Sequence, residues 1–254
     1  MPLFCDTKEG RLFAAKLSDD VFLSKKRREG RFTPFLDERQ LMFARSFLKN
    51  EDVTVLFWGG FEDAQRLCAG IFPDEDGAQR EYFDIEPITA VWYRDERSLS
   101  HRDVLGTLMA LGIKRECVGD ILVEEGRCVF FVKSDVADFV LTQMDRIGGV
   151  AVKLSSGFDG PLPVGVRFQQ ISSTVASARL DCIVKALVSS GRDDAAALIK
   201  AGKVTLDCEE TDNVSKVVHD GAVIAVRGCG KFIIDSVGPQ TRKGRLALTA
   251  RKYI

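Results

Sequence analysis

The sequence contains no segment that would cross a membrane or direct secretion. No run of about 18 apolar residues occurs, which is the length that a membrane-spanning helix needs. The first twelve residues carry Asp6, Lys8, Glu9 and Arg11, where a secretory signal would have an apolar core. We therefore expect a cytoplasmic protein with no membrane partner.

Cysteine and histidine are poorly placed for metal or nucleophile chemistry. The seven cysteines are scattered, and no two of them form a Cys-x-x-Cys pair. Neither a disulfide framework nor a zinc knuckle is therefore expected. His101 and His219 are the only histidines, which leaves little material for a metal cluster or a Ser-His-Asp arrangement. The sequence thus predicts no metal, no cofactor and no catalytic residue.

Glycine-rich phosphate loops are also missing. His101-Arg102-Asp103 is the triplet of the protein-kinase catalytic loop. However, no glycine-rich phosphate loop precedes it and no Asp-Phe-Gly follows it. Trp58-Gly59-Gly60 is a poor substitute for the cofactor loop of a methyltransferase. A helix start, capped by Ser98 or Ser100, explains the triplet better.

Charge is divided unevenly along the 254 residues, of which 45% are hydrophobic and 29% charged. From Thr174 onward there are 13 Lys and Arg against 9 Asp and Glu, whereas residues 1–173 have 23 against 28. The excess is small, but a basic C-terminal module on an acidic body is consistent with a polyanionic partner.

The apolar pattern predicts an α+β chain of three parts. Residues 1–75 form an N-terminal helical and α/β region that includes a short helix from Asp63 to Ile71. In residues 76–157 strands alternate with helices and include one hairpin, which predicts a central ferredoxin-like α/β sandwich of undetermined strand order. A turn-forming segment, residues 155–163, predicts a domain boundary. Residues 172–254 form the third part, a module with a small β-sheet.

The C-terminal module begins with two short helices. In the first, Leu180, Ile183, Val184 and Leu187 share one side, which leaves Arg179 and Lys185 facing outward. The second ends at Gly202, a suitable left-handed cap. Strands and a C-terminal hairpin are predicted after the helices, at Lys203–Leu206, Val223–Val226, Phe232–Val237 and Leu246–Tyr253.

Ordered motifs in this module carry a family resemblance. They are Arg179-Leu180-Asp181, Arg192-x-x-Ala195, Leu198-Ile199-x-x-Gly202-x-Val204, and Gly221 before Val223-Ile224-x-Val226. Together they resemble the alpha-L RNA-binding domain, first defined in a small-subunit ribosomal protein. The family usually has Ser where this chain has Gly191 and Asp where it has Ala222. The first difference weakens a helix cap and the second weakens a turn, but neither removes a basic contact.

Further motifs extend the resemblance over nearly the whole chain. They are Phe32-Thr33-Pro34-Phe35-Leu36-Asp37, His101-Arg102-Asp103-Val104-Leu105-Gly106, Gly112-Ile113-Lys114-Arg115-Glu116 with Gly119-Asp120-Ile121, and Val226-Arg227-Gly228-x-Gly230-Lys231-Phe232. The sequence is similar to the YlmH-like RNA-binding proteins of Firmicutes. This resemblance implies binding to ribosomal RNA and tRNA on the large ribosomal subunit. The implied role is rescue of stalled nascent chains in ribosome-associated quality control.

Basic residues near helix ends and turns are the candidate RNA contacts, because Lys and Arg reach phosphates and Arg also stacks on bases. Asp181 and Asp194 are assigned structural roles, orienting arginines or capping a helix. Whether the run Lys25 to Arg31 contacts RNA or is a solvated helix end stays open. The predicted RNA-binding residues are Arg179, Lys185, Arg192, Lys200, Lys203, Lys216, Arg227, Lys231, Arg242, Lys243, Arg245, Arg102, Lys114 and Arg115.

Aromatic side chains do not form a recognisable RNA platform in the sequence. Trp58, Trp92 and Tyr93 lie in predicted strands, where burial is the ordinary explanation.

The leading hypothesis is therefore a monomeric, non-enzymatic RNA-binding protein. Two alternatives remain at this point: an RNA-modifying enzyme or its accessory, because alpha-L modules accompany such enzymes, and a cell-division adaptor.

Overall fold

The computed structural model describes residues 4, 7–75, 77–93, 98–164, 168–240 and 244–253. The predicted contacts Arg242 and Lys243 lie outside these residues. The chain forms two compact units, residues 1–165 and residues 166–254. None of the described helices is long and apolar enough to span a bilayer.

Two helices near the start of the first unit are capped by side chains at their N-termini. Helix α1 (Lys8–Arg27) starts after Thr7, whose hydroxyl accepts from the Gly10 N–H at 2.9 Å. Helix α2 (Glu38–Leu48) starts with a capping box, in which Asp37 and Gln40 each accept from the other's backbone N–H. These caps satisfy amides that have no partner within a helix.

Three strands pair antiparallel in the order β1-β3-β2: β1 (Arg31–Phe32), β2 (Thr54–Trp58) and β3 (Cys68–Phe72). The helix predicted from Asp63 to Ile71 is therefore wrong. Every residue of β3 is buried, and a short run that is apolar throughout has no period to distinguish a strand from a helix. Pairing with β1 and β2 decides the outcome.

The central part of the first unit confirms the expected α/β sandwich. Its strands β4 (Ile85–Val91), β5 (Val118–Glu124), β6 (Arg127–Lys133) and β9 (Lys153–Ser156) pair antiparallel in the order β5-β6-β4-β9. With helices α3 and α4 the chain order is β-α-β-β-α-β, the split arrangement of ferredoxin-like folds. Helix α3 is His101–Ala110 and α4 is Ser134–Gln143; the short strands β7 (Arg146–Ile147) and β8 (Val150–Ala151) form a separate ladder.

The start of α3 confirms the interpretation of the His101 triplet. The Ser100 hydroxyl accepts from the Asp103 N–H at 3.4 Å, and the Asp103 carboxylate accepts from the Ser100 N–H at 2.9 Å. Asp103 thus occupies the third position of a capping box, a structural position in this helix.

Both faces of the four-stranded sheet are covered. On one face Phe130 and Val132 pack in a core with α3 and α4. On the other, Phe131 and Val129 pack in a core with Phe35, Phe72 and other residues of the N-terminal region. The sheet is therefore a buried layer between two sets of elements.

The aromatic residues of the first unit follow the predicted burial in part. Trp92 is 9% exposed, and Trp58 lies half-buried beneath the Arg80 guanidinium, 4.5 Å from its ring centroid. The prediction for Tyr93 is wrong, since it is 82% exposed. Because β4 ends at Val91, Tyr93 lies beyond the paired strand.

The second unit packs two helices on one face of a six-stranded antiparallel sheet. Helices α5 (Leu180–Val188) and α6 (Arg192–Lys200) bury the predicted apolar stripe, and Gly202 follows α6 with φ +65°. The sheet order is β10-β15-β14-β13-β11-β12. The strands are β10 (Phe168–Val175), β11 (Val204–Leu206), β12 (Glu209–Glu210), β13 (Val223–Val226), β14 (Gly230–Gln240) and β15 (Leu246–Tyr253).

Truncation of Phe131 tests the second core of the central sheet. Phe131→Ala removes a fully buried ring that packs against Phe61 at 4.9 Å between centroids. We expect the free energy of unfolding to fall by about 3–5 kcal/mol, measured by urea denaturation. Phe139→Ala, on α4 and 47% exposed, is the control and should lower it by less than about 1 kcal/mol. Equal losses in the two variants would contradict a two-sided core.

Candidate nucleic-acid interface

A buried carboxylate holds two arginines at the start of successive helices. Asp181, in the first turn of α5, is 3% exposed. It accepts from Arg179 Nε and Nη2 at 3.1 and 3.2 Å, and from Arg192 Nε and Nη2 at 3.3 and 3.2 Å. The predicted structural role of Asp181, orienting the arginines, agrees with these contacts. We call these three residues the arginine fork.

The arginines of the fork remain accessible while Asp181 does not. The Arg179 side chain is 39% exposed and that of Arg192 is 62% exposed. Charge-assisted bonds of this kind are stronger than neutral ones and restrict the guanidinium planes. The fork therefore presents two positive groups in a restricted geometry at the surface.

Ionisation of Asp181 is favoured despite its burial. Burial raises the pKa of this carboxyl, but the hydrogen bonds from Arg179 and Arg192 outweigh burial and bring the pKa below its ordinary value of 3.8. The same bond to Asp181 raises the pKa of Arg179. Asp181 is consequently an anion at neutral pH, and the fork carries a net positive charge.

Backbone pairing places Arg179 at the helix start. The Leu180 N–H donates to the Lys216 carbonyl at 2.9 Å, and the Asp181 N–H to that of Val214 at 3.0 Å. These bonds fix the entry of α5 against the segment before β13. The start of α6 lacks a capping side chain at Gly191, but the Asp194 carboxylate accepts from the Gly191 N–H at 3.2 Å, the helix-capping role predicted for it.

A second group of cations lines a shallow groove of about 510 Å³ at the end of β11, β13 and β14. Lys203 and Arg227 lie side by side, because the Arg227 N–H donates to the Lys203 carbonyl at 2.8 Å. Lys231 lines the groove too, opposite Ala225 in the β13–β14 ladder. Glu210 is the acidic residue of the lining, and most of the remaining lining is Gly, Ala, Val and Thr. Small residues let a nucleic-acid backbone approach closely.

Lys252 was missed by sequence reasoning. A methyl group built on Gly230 would lie 3.0 Å from Lys252 Cε. Because Lys252 pairs with the core-facing Phe232, it lies on the sheet face opposite Lys231, near the end of β14. No local motif marks Lys252, and only the register of the predicted hairpin would have indicated it.

The other predicted residues of the second unit are dispersed. Lys185 and Lys200 are exposed on α5 and α6. Lys216 lies 3.9 Å from a Glu209 carboxylate oxygen. Arg245 donates to the Thr174 carbonyl at 2.6 Å, a contact that ties the β15 start to β10.

The three candidates of the first unit differ in their surroundings. Arg102 is exposed at the start of α3, and the Lys114 side chain is 78% exposed, 4.0 Å from Glu116. Arg115 instead donates to the Val118 carbonyl at 2.5 Å. Burial, together with the nearby Arg66 charge, lowers the pKa of Arg115 to about 10. Arg115 therefore has a visible structural contact, and its RNA contact stays a prediction.

Three cations of the basic run Lys25 to Arg31, which spans the end of α1 and the start of β1, contact acids. Lys25 lies 3.6 Å from Asp52, Arg28 3.5 Å from Asp74, and Arg31 3.7 Å from Asp20. The contacts of Lys25 and Arg28 are at the solvated surface, whereas Arg31 contacts a buried carboxylate.

The two units together have the features of an RNA-binding protein. The second has the order of elements that the alpha-L resemblance implies, with cations at its helix starts and at the ends of strands in its sheet. Residues 79–157 of the first match the family model described as "Putative RNA-binding domain in YlmH".

Two known proteins are similar over much of the chain. One is "Ribosome-associated protein quality control protein P2" of Bacillus subtilis (strain 168), 29% identical over 220 residues that make up 86% of each protein. The other is the solved structure of "Cell division protein ylmH from Streptococcus pneumoniae", with a TM-score of 0.51 and 24% identity over 60% of this chain and 93% of that one. The latter shows a shared fold. The resemblance to the YlmH-like RNA-binding proteins is thus confirmed.

Asp181→Asn tests the fork by removing its charge while keeping its shape. We expect the free energy of unfolding at neutral pH to fall by about 1.5–3 kcal/mol, because two charge-assisted contacts are weakened. Since the pKa of Asp181 is lowered in the folded state, this stabilisation is present above its unfolded pKa and is lost as pH falls through the folded pKa. The difference between the two proteins should therefore shrink below about pH 4.

The control for this measurement is Asp193→Asn. Asp193 is exposed in the first turn of α6, so its effect should be about 0.5 kcal/mol or less. An Asp181→Asn loss that does not change between about pH 7 and pH 3 would exclude the ionised fork.

Proposed function

We propose that the protein binds ribosomal RNA and tRNA on the large ribosomal subunit and acts in the rescue of stalled nascent chains. The arginine fork is the observation that carries the proposal, because it presents two oriented guanidinium groups on a module that resembles an RNA-binding domain. The name of the Bacillus relative, a ribosome-associated quality control protein, supports the pathway.

The fork suits a phosphate backbone or a base edge of folded RNA. A guanidinium has five donors in a planar arrangement, and Asp181 uses two from each arginine. The remaining donors point away from that contact. Because the side chains are already restrained, less conformational entropy is lost when RNA binds. The groove cations Lys203, Arg227 and Lys231 add electrostatic attraction that depends on salt.

The central α/β domain would contribute a second RNA contact that does not involve its sheet faces. RNA-recognition sheets of similar topology use aromatic residues on an open face, but here both sheet faces are buried. Its contact with RNA would therefore use exposed cations outside the sheet, such as Arg102 and Lys114. Binding of this kind reads the shape and charge of RNA and requires no covalent step.

In this proposal the protein acts as a monomer in the cytoplasm, where ribosomes are found. Electrostatic capture by the second unit and additional contacts by the first would position it on the subunit. This mechanism needs no cofactor or metal.

Removal of Arg192 tests the ribosomal role most cleanly. In Arg192→Ala, Asp181 keeps its contacts with Arg179, whereas Arg179→Ala with Arg192→Ala leaves a buried carboxylate without either partner and can destabilise the module. We expect weaker cosedimentation with large subunits in both variants. The slope of log affinity against log salt should fall by about one for each phosphate that the variant no longer binds.

Arg39→Ala with Arg146→Ala is the matched control, because both arginines are exposed on the first unit and neither is among the predicted RNA-binding residues. Thermal unfolding of every variant separates weakened binding from impaired folding. Unchanged cosedimentation of the folded Arg192→Ala protein across the salt series would refute the proposed role of the fork.

Crosslinking in cells followed by sequencing of the bound RNA identifies the ligand independently. We expect fragments of large-subunit ribosomal RNA and of tRNA. Recovery of neither, with protein partners that remain after nuclease treatment, would favour an adaptor instead.

A further inference from the structure

The six-stranded sheet of the second unit has an outward face that the arginine fork and the helices do not use. Phe232, Ile234, Leu248 and Ala250 point into the core beneath α5 and α6. Successive side chains of a strand point to opposite faces. The alternate residues of β14 and β15, among them Lys231, Arg251 and Tyr253, therefore point away from that core, and they are half-buried.

Strand register gathers aromatic and basic side chains on this outward face. Phe168 of β10 pairs with Tyr253 of β15, and their ring centroids are 4.9 Å apart at an interplanar angle of 60°. Lys231 Nζ lies 5.1 Å from the Tyr253 ring centroid, and Arg251 Cζ lies 4.9 Å from that of Phe168. We call these four residues the sheet platform.

The sheet platform is continuous with the basic groove. Lys231 belongs to both. Ala225 of β13 lies opposite Lys231, and Thr205 of β11 lies opposite Ala225, so all three side chains are on the same sheet face, and all three line the groove. Within the platform, Arg251 Nε donates to the Asp235 carboxylate at 2.8 Å. An RNA strand whose phosphates lie in the groove would thus place its adjoining bases beside the two aromatic rings.

We propose that the sheet platform binds a single-stranded segment of RNA, with unpaired bases stacked on Phe168 and Tyr253 and the adjoining phosphates held by Lys231, Arg251 and the groove cations. Aromatic rings beside cations on a sheet face are typical of proteins that bind single-stranded nucleic acid. Stacking is tolerant of base identity, so this contact has little sequence preference. The inference rests on the proposed RNA-binding function and assigns a second, distinct contact within it.

The charge of the surface favours RNA over a protein segment. A peptide strand would add to a sheet edge through backbone hydrogen bonds, whereas the platform consists of side chains that project from the sheet face. Arginine over an aromatic ring adds a planar cation on which a further base stacks. These features indicate a ligand that has both planar aromatic rings and negative charge, as RNA has.

A fluorescein-labelled oligouridine of about 12 nucleotides is a suitable probe for fluorescence anisotropy with the full chain. Phe168→Leu with Tyr253→Leu keeps apolar bulk but removes both rings, and we expect binding to weaken by about tenfold or more. Tyr253→Phe keeps the ring and should bind within about twofold of the original protein.

A second measurement reports stacking directly. In Tyr253→Trp, the added indole fluorescence should be quenched by oligouridine beyond any change seen in the original protein, which contains Trp58 and Trp92. This readout does not depend on whether the double leucine variant folds. The platform is refuted if the original protein does not bind oligouridine, or if a folded leucine variant binds it with normal affinity. It is also refuted if oligouridine does not quench the added indole in Tyr253→Trp. Each of these results would be expected if the face bound a protein instead.

The experiments test the platform and the ribosomal role of the fork independently of each other. Normal oligouridine binding by the leucine variant, with weakened subunit binding by Arg192→Ala, would refute only the platform. Ring-dependent oligouridine binding, with unchanged subunit binding by Arg192→Ala, would leave the platform standing and refute the ribosomal role of the fork.

Discussion

The ion contact between Asp181 and two arginines is the constraint on which the candidate interface depends. An isolated surface arginine samples many rotamers and loses that freedom when it binds a ligand. Here the buried carboxylate accepts four hydrogen bonds from Arg179 and Arg192, so much of this ordering is already present. The same contact links the starts of α5 and α6, and the packing of the two helices and the presentation of the cations are therefore one structural feature.

Burial on both faces distinguishes the central sheet from common RNA-recognition sheets, which keep one face open. Phe35 and Phe72 from the N-terminal region occupy the face that would otherwise be open, and they form a second hydrophobic core there. In the second unit, by contrast, the helices cover only one face of the sheet, and the aromatic and basic residues lie on the other face.

Local chemistry made several elements predictable. The apolar stripe of α5 follows from its spacing, Ser100 marks the start of α3, and the hairpin of β14 and β15 follows from two strand-like runs around a turn. The failed helix over Asp63–Ile71 and the exposed Tyr93 have a common cause. Short apolar or aromatic segments carry too little periodic information, and neighbouring strands that are distant in sequence decide their conformation.

The sequence by itself determined the α+β class, the basic character of the C-terminal module and the position of its arginines at the two helix starts, because periodicity, charge and ordered motifs are local properties. Tertiary structure decided which cations share a surface. Lys203, Arg227 and Lys231 line one groove because β11, β13 and β14 pair with one another. It also made Asp181 a buried anchor for Arg192, eleven residues away, and placed Phe168 beside Tyr253. Such contacts depend on the balance of burial and pairing over the whole unit, which no single segment encodes.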